Sequence, residues 1–177
     1  EISEETLWLL GGKGAQVFEI LPAHKPFTNS KAFEAGGYFV MRDGWEATDN
    51  YLLIDAGEMG AMTGGHSHAD TLSIEVAVGG KTMLVDPGTY SYHESEKVRN
   101  YFRSTVAHNT LSIDKKSSSE FGSKFSWQTF AKPKFHSWIA ETRFDFFEGA
   151  HDGFRRLPAP AAPTRGILFL KNDYWIV

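Results

Sequence analysis

Apolar and polar positions change their rhythm about a fifth of the way along the chain. Near the start, Ser3 precedes Glu4-Glu5-Thr6-Leu7-Trp8-Leu9-Leu10, a capped and acidic opening turn that predicts a short helix. Gly11-Gly12 follows and is expected to end it. Residues 13–35 hold Pro22 and Pro26 with little periodicity and read as an irregular connector. From residue 36 the spacing becomes that of strands. Tyr38-Phe39-Val40-Met41 and Tyr51-Leu52-Leu53-Ile54 flank Asp43-Gly44, which predicts a hairpin. Leu72 to Val78 alternates, and Gly79-Gly80 turns it into Thr82-Met83-Leu84-Val85, a second hairpin. Asn109-Thr110-Leu111-Ser112-Ile113, Trp138 to Phe144 and Gly166 to Leu170 are further strand candidates. Residues 115–124 form a polar loop, and the three prolines between Leu157 and Pro163 demand a turn. Tyr174-Trp175-Ile176-Val177 reads as a strand cut in its middle. No repeat is present. Many short strands with frequent turns predict a mostly β chain, an antiparallel β-sandwich or barrel.

Composition narrows the classes. With 41% hydrophobic residues over 177 positions the chain can form a packed core. No apolar run approaches the roughly 18 residues of a membrane span. A net charge of −4 argues against a nucleic-acid partner bound through bulk positive charge. A polyanionic partner would need a local basic patch, for which Arg99 and Arg103 are candidates; ion pairs with Glu94 or Glu96 are the alternative. Without cysteine there is no disulfide, thiol nucleophile or thiolate metal ligand.

The chemistry concentrates in Gly64-Gly65-His66-Ser67-His68-Ala69-Asp70. Histidines at i and i+2 share a face of extended backbone, and imidazole suits zinc, copper, iron or nickel. Further ligands could come from Asp86, His93 or His108. Asp86 ends the apolar, buried-looking strand Met83-Leu84-Val85, before the turn Pro87-Gly88, and His108 opens the strand at Asn109. His68, Asp86 and His108 with a water would make a four-coordinate nitrogen and oxygen site. The metallo-β-lactamase signature His-x-His-x-Asp-His fails at its sixth position, which is Thr71. A cupin would need a glutamate closer to the histidine pair than Glu75.

In order, Gly65 to Ser73, Leu84 to Tyr90, Tyr101 to Thr110 and His151 to Leu157 resemble the heparinase II/III-like polysaccharide lyases. The resemblance covers roughly residues 36 to 177. It implies that residues 1–35 are the tail of a preceding helical region plus a connector. Residues 36–177 would then be the antiparallel β-sandwich, truncated at its C-terminus, of a lyase whose helical toroid is missing. It implies a structural zinc on His68, Asp86 and His108, with His66 facing the sugar cleft rather than the metal. The implied reaction is β-elimination in an acidic, uronate-containing polysaccharide, in a periplasmic or secreted enzyme. His66 is then the leading candidate for base or substrate contact, with Tyr90, Tyr92 and Tyr101 as weaker catalytic candidates. Arg99, Arg103 and Trp45 are candidates for substrate binding. Two other readings stay open: a non-catalytic carbohydrate-binding or structural β module, and a metal-dependent hydrolase.

Overall fold

A computed structural model describes residues 2–60 and 62–177. The chain opens with a helix, α1 (Glu4–Ile20), capped by the Ser3 hydroxyl and broken at Gly11, where φ is 65°. The break falls where the glycine pair predicts it, but the helix resumes, so the expected connector begins only after Ile20. Ala15, Gln16 and Glu19 favour the continuation, and Pro22 stops it. No residue of α1 is buried, and Trp8 is 81% exposed.

Among the described residues, nine strands follow. β1 (Lys31–Phe33), β2 (Tyr38–Arg42), β3 (Tyr51–Asp55), β4 (Ser73–Val78) and β5 (Lys81–Leu84) form one antiparallel sheet in sequence order. β6 (Pro133–Ala140), β7 (Phe144–His151), β8 (Thr164–Leu170) and β9 (Trp175–Ile176) form a second antiparallel sheet, also in order. The core lies between them. Phe39, Met41, Leu52 and Ile54 project from the first sheet, and Phe147, Ile167 and Phe169 from the second. Phe39 joins the two layers, with its ring 4.8 Å from Phe147 and 5.6 Å from Trp138. Burying each such side chain, aromatic or aliphatic, contributes about 1.5–3 kcal/mol, so the sandwich is held by this mixed core.

Three expectations need correction. The stretch from Trp138 to Phe144 is the end of β6, a turn over 141–143 and the start of β7, rather than one strand. Asn109 to Ile113 is no strand: its alternation comes from an irregular segment, in which Asn109 bonds Ile74 and Val85 through its side chain. The apolar run ending at Val85 is not buried, since β5 is exposed along its length and Met83 is 63% exposed.

Between the sheets the chain makes a long excursion over 85–132, carrying helix α2 (Glu96–Phe102) and a single 3-10 turn, Thr105–Ala107. Hydrogen bonds pin this excursion to the connection between β3 and β4. Ala69 donates its N–H to the Arg103 carbonyl, Thr105 donates its hydroxyl to the Ala69 carbonyl, and Ile74 donates to Asn109. Distant segments thereby meet at one end of the first sheet, the end marked by the row Tyr38–Asp55–Ser73.

Candidate functional site

The loop that carries the histidine pair is rigidly built. Gly64 has φ 61°, and a Cβ there would lie 2.9 Å from the Phe130 ring and 3.1 Å from Trp127, so only glycine lets the aromatic rings close over the turn. The Ser67 hydroxyl accepts from the Gly60 N–H, and Trp127 Nε1 donates to the Ser67 carbonyl. The turn sends its two histidines to different places, with His66 exposed and His68 half-buried.

His68, Asp86 and His108 converge. One potential ligand atom from each lies within 4.8 Å of the others. His108 Nδ1 is 2.5 Å from Asp86 Oδ2, and the His68 and His108 rings are 5.0 Å apart. Asp86 is steadied by the Gly88 N–H, donated to Oδ1. His108 caps the 3-10 turn, is 7% exposed, and has a buried Nε2 with no hydrogen-bond partner among the described residues. Burial, with His108 and Arg99 nearby, lowers the His68 pKa to about 4, so its imidazole is neutral near pH 7. Burial pushes the Asp86 carboxyl upward, but the His108 hydrogen bond and the Gly88 N–H outweigh it and hold the group below the usual carboxylate range. For His108 the balance also favours charge: burial lowers its pKa, and the Asp86 hydrogen bond together with the negative charges of Asp70 and Asp86 more than reverses this. Two imidazoles and one carboxylate with an orphaned buried nitrogen fit a divalent metal of the zinc type. His93 has no place in this cluster, and Asp70 borders it. Burial pushes the Asp70 carboxyl to about 6, against the lowering influence of His108 and with support from Asp55. Asp70 closes the histidine-rich stretch of the sequence, but its spacing does not mark it as a buried acid beside the cluster.

On the exposed side, His66 Nδ1 lies 3.1 Å from the Tyr92 hydroxyl, with the rings edge to face. Tyr92 is the tyrosine that meets His66. Tyr90 stacks on Phe102 at 5.1 Å, and Tyr101 meets the edge of that same ring at 5.3 Å.

Arg99 and Arg103 are both 0% exposed, and neither pairs with Glu94 or Glu96. Arg99 donates to the Thr89 hydroxyl and the Gly65 carbonyl, lies 3.4 Å from His68 Nε2, and sits over the Tyr92 ring. It therefore touches both halves of the site. Arg103 donates to the Ser123, Lys124 and Ser126 carbonyls. Neither guanidinium reaches the surface of this chain, so the local basic patch expected from the sequence is not found at these positions. Trp45 lies at the opposite end of the first sheet, past the row Arg42–Tyr51–Ala77.

Residues 25–177 match the family described as heparinase II/III-like, C-terminal, a match that begins upstream of residue 36. A heparin-sulfate lyase of Pedobacter heparinus is 23% identical over 151 residues, covering 84% of this chain. One of Bacteroides stercoris is 25% identical over 151 residues, again 84% of this chain. The chain spans 20% of the length of each of these two relatives. A crystal structure of a heparan sulfate lyase from Pedobacter heparinus superposes with a TM-score of 0.74 at 21% identity, covering 98% of this chain and 27% of that one. A heparinase III structure gives 0.71 at 16% identity, covering 99% and 28%. At these identities the shared property is the fold. No described helix is long and apolar enough to cross a membrane.

Proposed function

Since the chain belongs to the heparinase II/III-like family through its C-terminal domain, we propose that it is the β-sheet portion of a lyase that cleaves uronate-containing polysaccharides by β-elimination. The exposed His66–Tyr92 pair carries this reading. Elimination needs a base to take the proton from C5 of the uronate and an acid to give one to the departing O4. An imidazole and a phenol 3.1 Å apart on a braced loop offer those two kinds of group. His66 is the proposed base or substrate contact, and Tyr92 takes the place held for Tyr90 and Tyr101. The C5 proton becomes acidic only when donors neutralise the adjacent carboxylate. Arg99 and Arg103 are committed to internal acceptors, so those donors come from the rest of the enzyme.

His68, Asp86 and His108 would hold a structural zinc, which when bound supplies a fixed cross-link between the 64–70 loop and the ends of the 85–108 excursion. Arg99 holds the Gly65 carbonyl and the Tyr92 ring in register with that cluster. A polymeric acidic substrate places the enzyme outside the cytoplasm, in the periplasm or secreted.

The test is the full-length enzyme on uronate polysaccharides, followed by the ultraviolet absorbance of the unsaturated uronyl end. His66→Ala should cut the rate by about 10²–10⁴-fold. Product ends carrying added water would mean a hydrolase, and unchanged turnover would make this chain a non-catalytic module.

A further inference from the structure

The first sheet carries a second cluster of charged and aromatic side chains. Arg42 lies between two aromatic rings, its guanidinium carbon 4.3 Å from the Trp45 ring centre and 4.8 Å from that of Tyr51. Its side chain makes no hydrogen bond or ion pair among the described residues, and Nε is shut away from solvent without a partner. An arginine held this way normally has an acceptor for its planar fork.

Three of the carboxylates around it are engaged elsewhere. Asp43 accepts from the Asn50 backbone and side chain, Asp49 accepts from the Glu46 N–H, and Glu46 pairs with Lys25. Glu75 sits on the same sheet face opposite Leu53 and forms no ion pair with Arg42.

The frame is rigid because two hairpin turns lock together. Gly79 donates its N–H to Asn50 Oδ1, and a Cβ on Gly80, with φ 75°, would lie 2.4 Å from the Ala47 carbonyl oxygen. Between the turns is a cavity of about 340 Å³ bordered by Arg42, Trp45 and Tyr51. Trp45 donates Nε1 to the Thr28 carbonyl, which fixes its ring, yet remains 44% exposed. The rows of the sheet put this frame about 13 Å along the strands from the end that carries the metal-ligand trio.

We infer that the Arg42–Trp45–Tyr51 clamp is a saccharide-binding site separate from the His66 cleft, taking one uronate or sulfate group on Arg42 with a sugar ring against Trp45. The inference rests on the acidic polysaccharide proposed above as the substrate class. It gives Trp45, which the sequence offers as a stacking ring, a partner in charge. A site beside the cleft would hold a polymer between successive cuts.

Calorimetric titration of the full-length protein with a heparin-derived tetrasaccharide tests it, using a His66→Ala background to suppress turnover. Arg42→Gln should weaken binding about 10-fold, the loss expected for one charge-assisted contact. Trp45→Ala, in a surface turn, should weaken it similarly, and serves if Arg42→Gln fails to fold. Inorganic sulfate alone should bind far more weakly, because it leaves Trp45 without a ring to stack on. Unchanged affinity in variants with native melting temperatures would overturn the clamp, as would sulfate binding as tightly as the tetrasaccharide. The failure of the two readings is distinguishable. Arg42-dependent binding without unsaturated uronate from the unmutated enzyme sinks the lyase reading and leaves the clamp. Uronate production with binding indifferent to Arg42 does the reverse.

Discussion

His108 directs Nδ1 at Asp86 Oδ2 across 2.5 Å while its Nε2 is buried without a partner among the described residues. A buried nitrogen in that condition costs about 1–3 kcal/mol unless something satisfies it. If a metal does so, it binds the folded state and stabilises it. At a hundredfold excess over the dissociation constant, the melting temperature should rise by about 5–10 °C for a chain of this size. Chelation should reverse the rise, and Asp86→Asn should abolish it. Equal melting of metal-free and metal-loaded protein would remove the metal from the account.

Arg99 is the side chain through which the two halves of the site communicate. Replacing it with Lys keeps the charge and loses the fork that reaches Thr89, Gly65 and His68. Arg99→Lys should lower turnover by about 10-fold or more, with zinc still bound stoichiometrically. Loss of zinc together with activity would make Arg99 part of the metal site instead of a support for His66 and Tyr92.

Asp145 is a fully buried carboxylate between the sheets. Ser30, just ahead of β1, donates to its Oδ2 at 2.5 Å, and Lys171 Nζ lies 3.0 Å from its Oδ1. Burial nevertheless holds its pKa above the ordinary value. Lys171→Met, which strands the acid, should cost about 3–5 kcal/mol. The double variant Asp145→Asn with Lys171→Met should recover part of that loss. Denaturant unfolding of the single and double variants measures the coupling, and simple additivity would contradict it.

His151 gives a pH signature. It is 3% exposed, packs on Phe154, and accepts the Gly153 N–H on Nδ1, and burial takes its pKa from 6.5 to about 4. The folded state therefore keeps it neutral where the unfolded chain protonates it. Its contribution is whole above pH 6.5 and is lost as pH falls toward 4, amounting to about 3 kcal/mol at most. The difference in stability between wild type and His151→Gln should change across that window and be flat above it. A difference independent of pH would mean that His151 is not buried as a neutral ring.

Residues 1–177 alone should release no unsaturated uronate from heparin-like, alginate or hyaluronan-like chains, since Arg99 and Arg103, the candidate carboxylate-neutralising donors, are committed to internal acceptors. Measured absorbance from the isolated chain would show that the set is complete.

The His68–Asp86–His108 cluster was legible because its members stand beside sharp local signals: a glycine turn before His68, a Pro-Gly turn after Asp86, and an asparagine after His108. The separate placement of exposed His66 and half-buried His68 was not available from spacing; it came with the family resemblance. β7 escaped because Asp145 and Gly149 break the alternation of a strand whose inward positions include a buried charge. Arg99 and Arg103 looked like a choice between a basic patch and ordinary ion pairs. They are neither, because Arg99 turns to the Thr89 hydroxyl and the Gly65 carbonyl and Arg103 to three carbonyls of the 123–126 loop, and no local pattern encodes that. Tyr90, Tyr92 and Tyr101 are equally plausible on the page, and only the backbone course between Asp86 and α2 brings Tyr92 to His66.

Arg103 lies against the paired Phe121 and Trp127 rings while gathering the carbonyls of Ser123, Lys124 and Ser126. While Thr105 and Arg156 hold its 117–118 part, the 123–126 end of this polar loop thus borrows its order from a helix end. Its amides should exchange with solvent at the pace at which α2 itself opens, so that loop and helix melt as one unit. A protease that nicks this loop would then be reporting on the stability of α2.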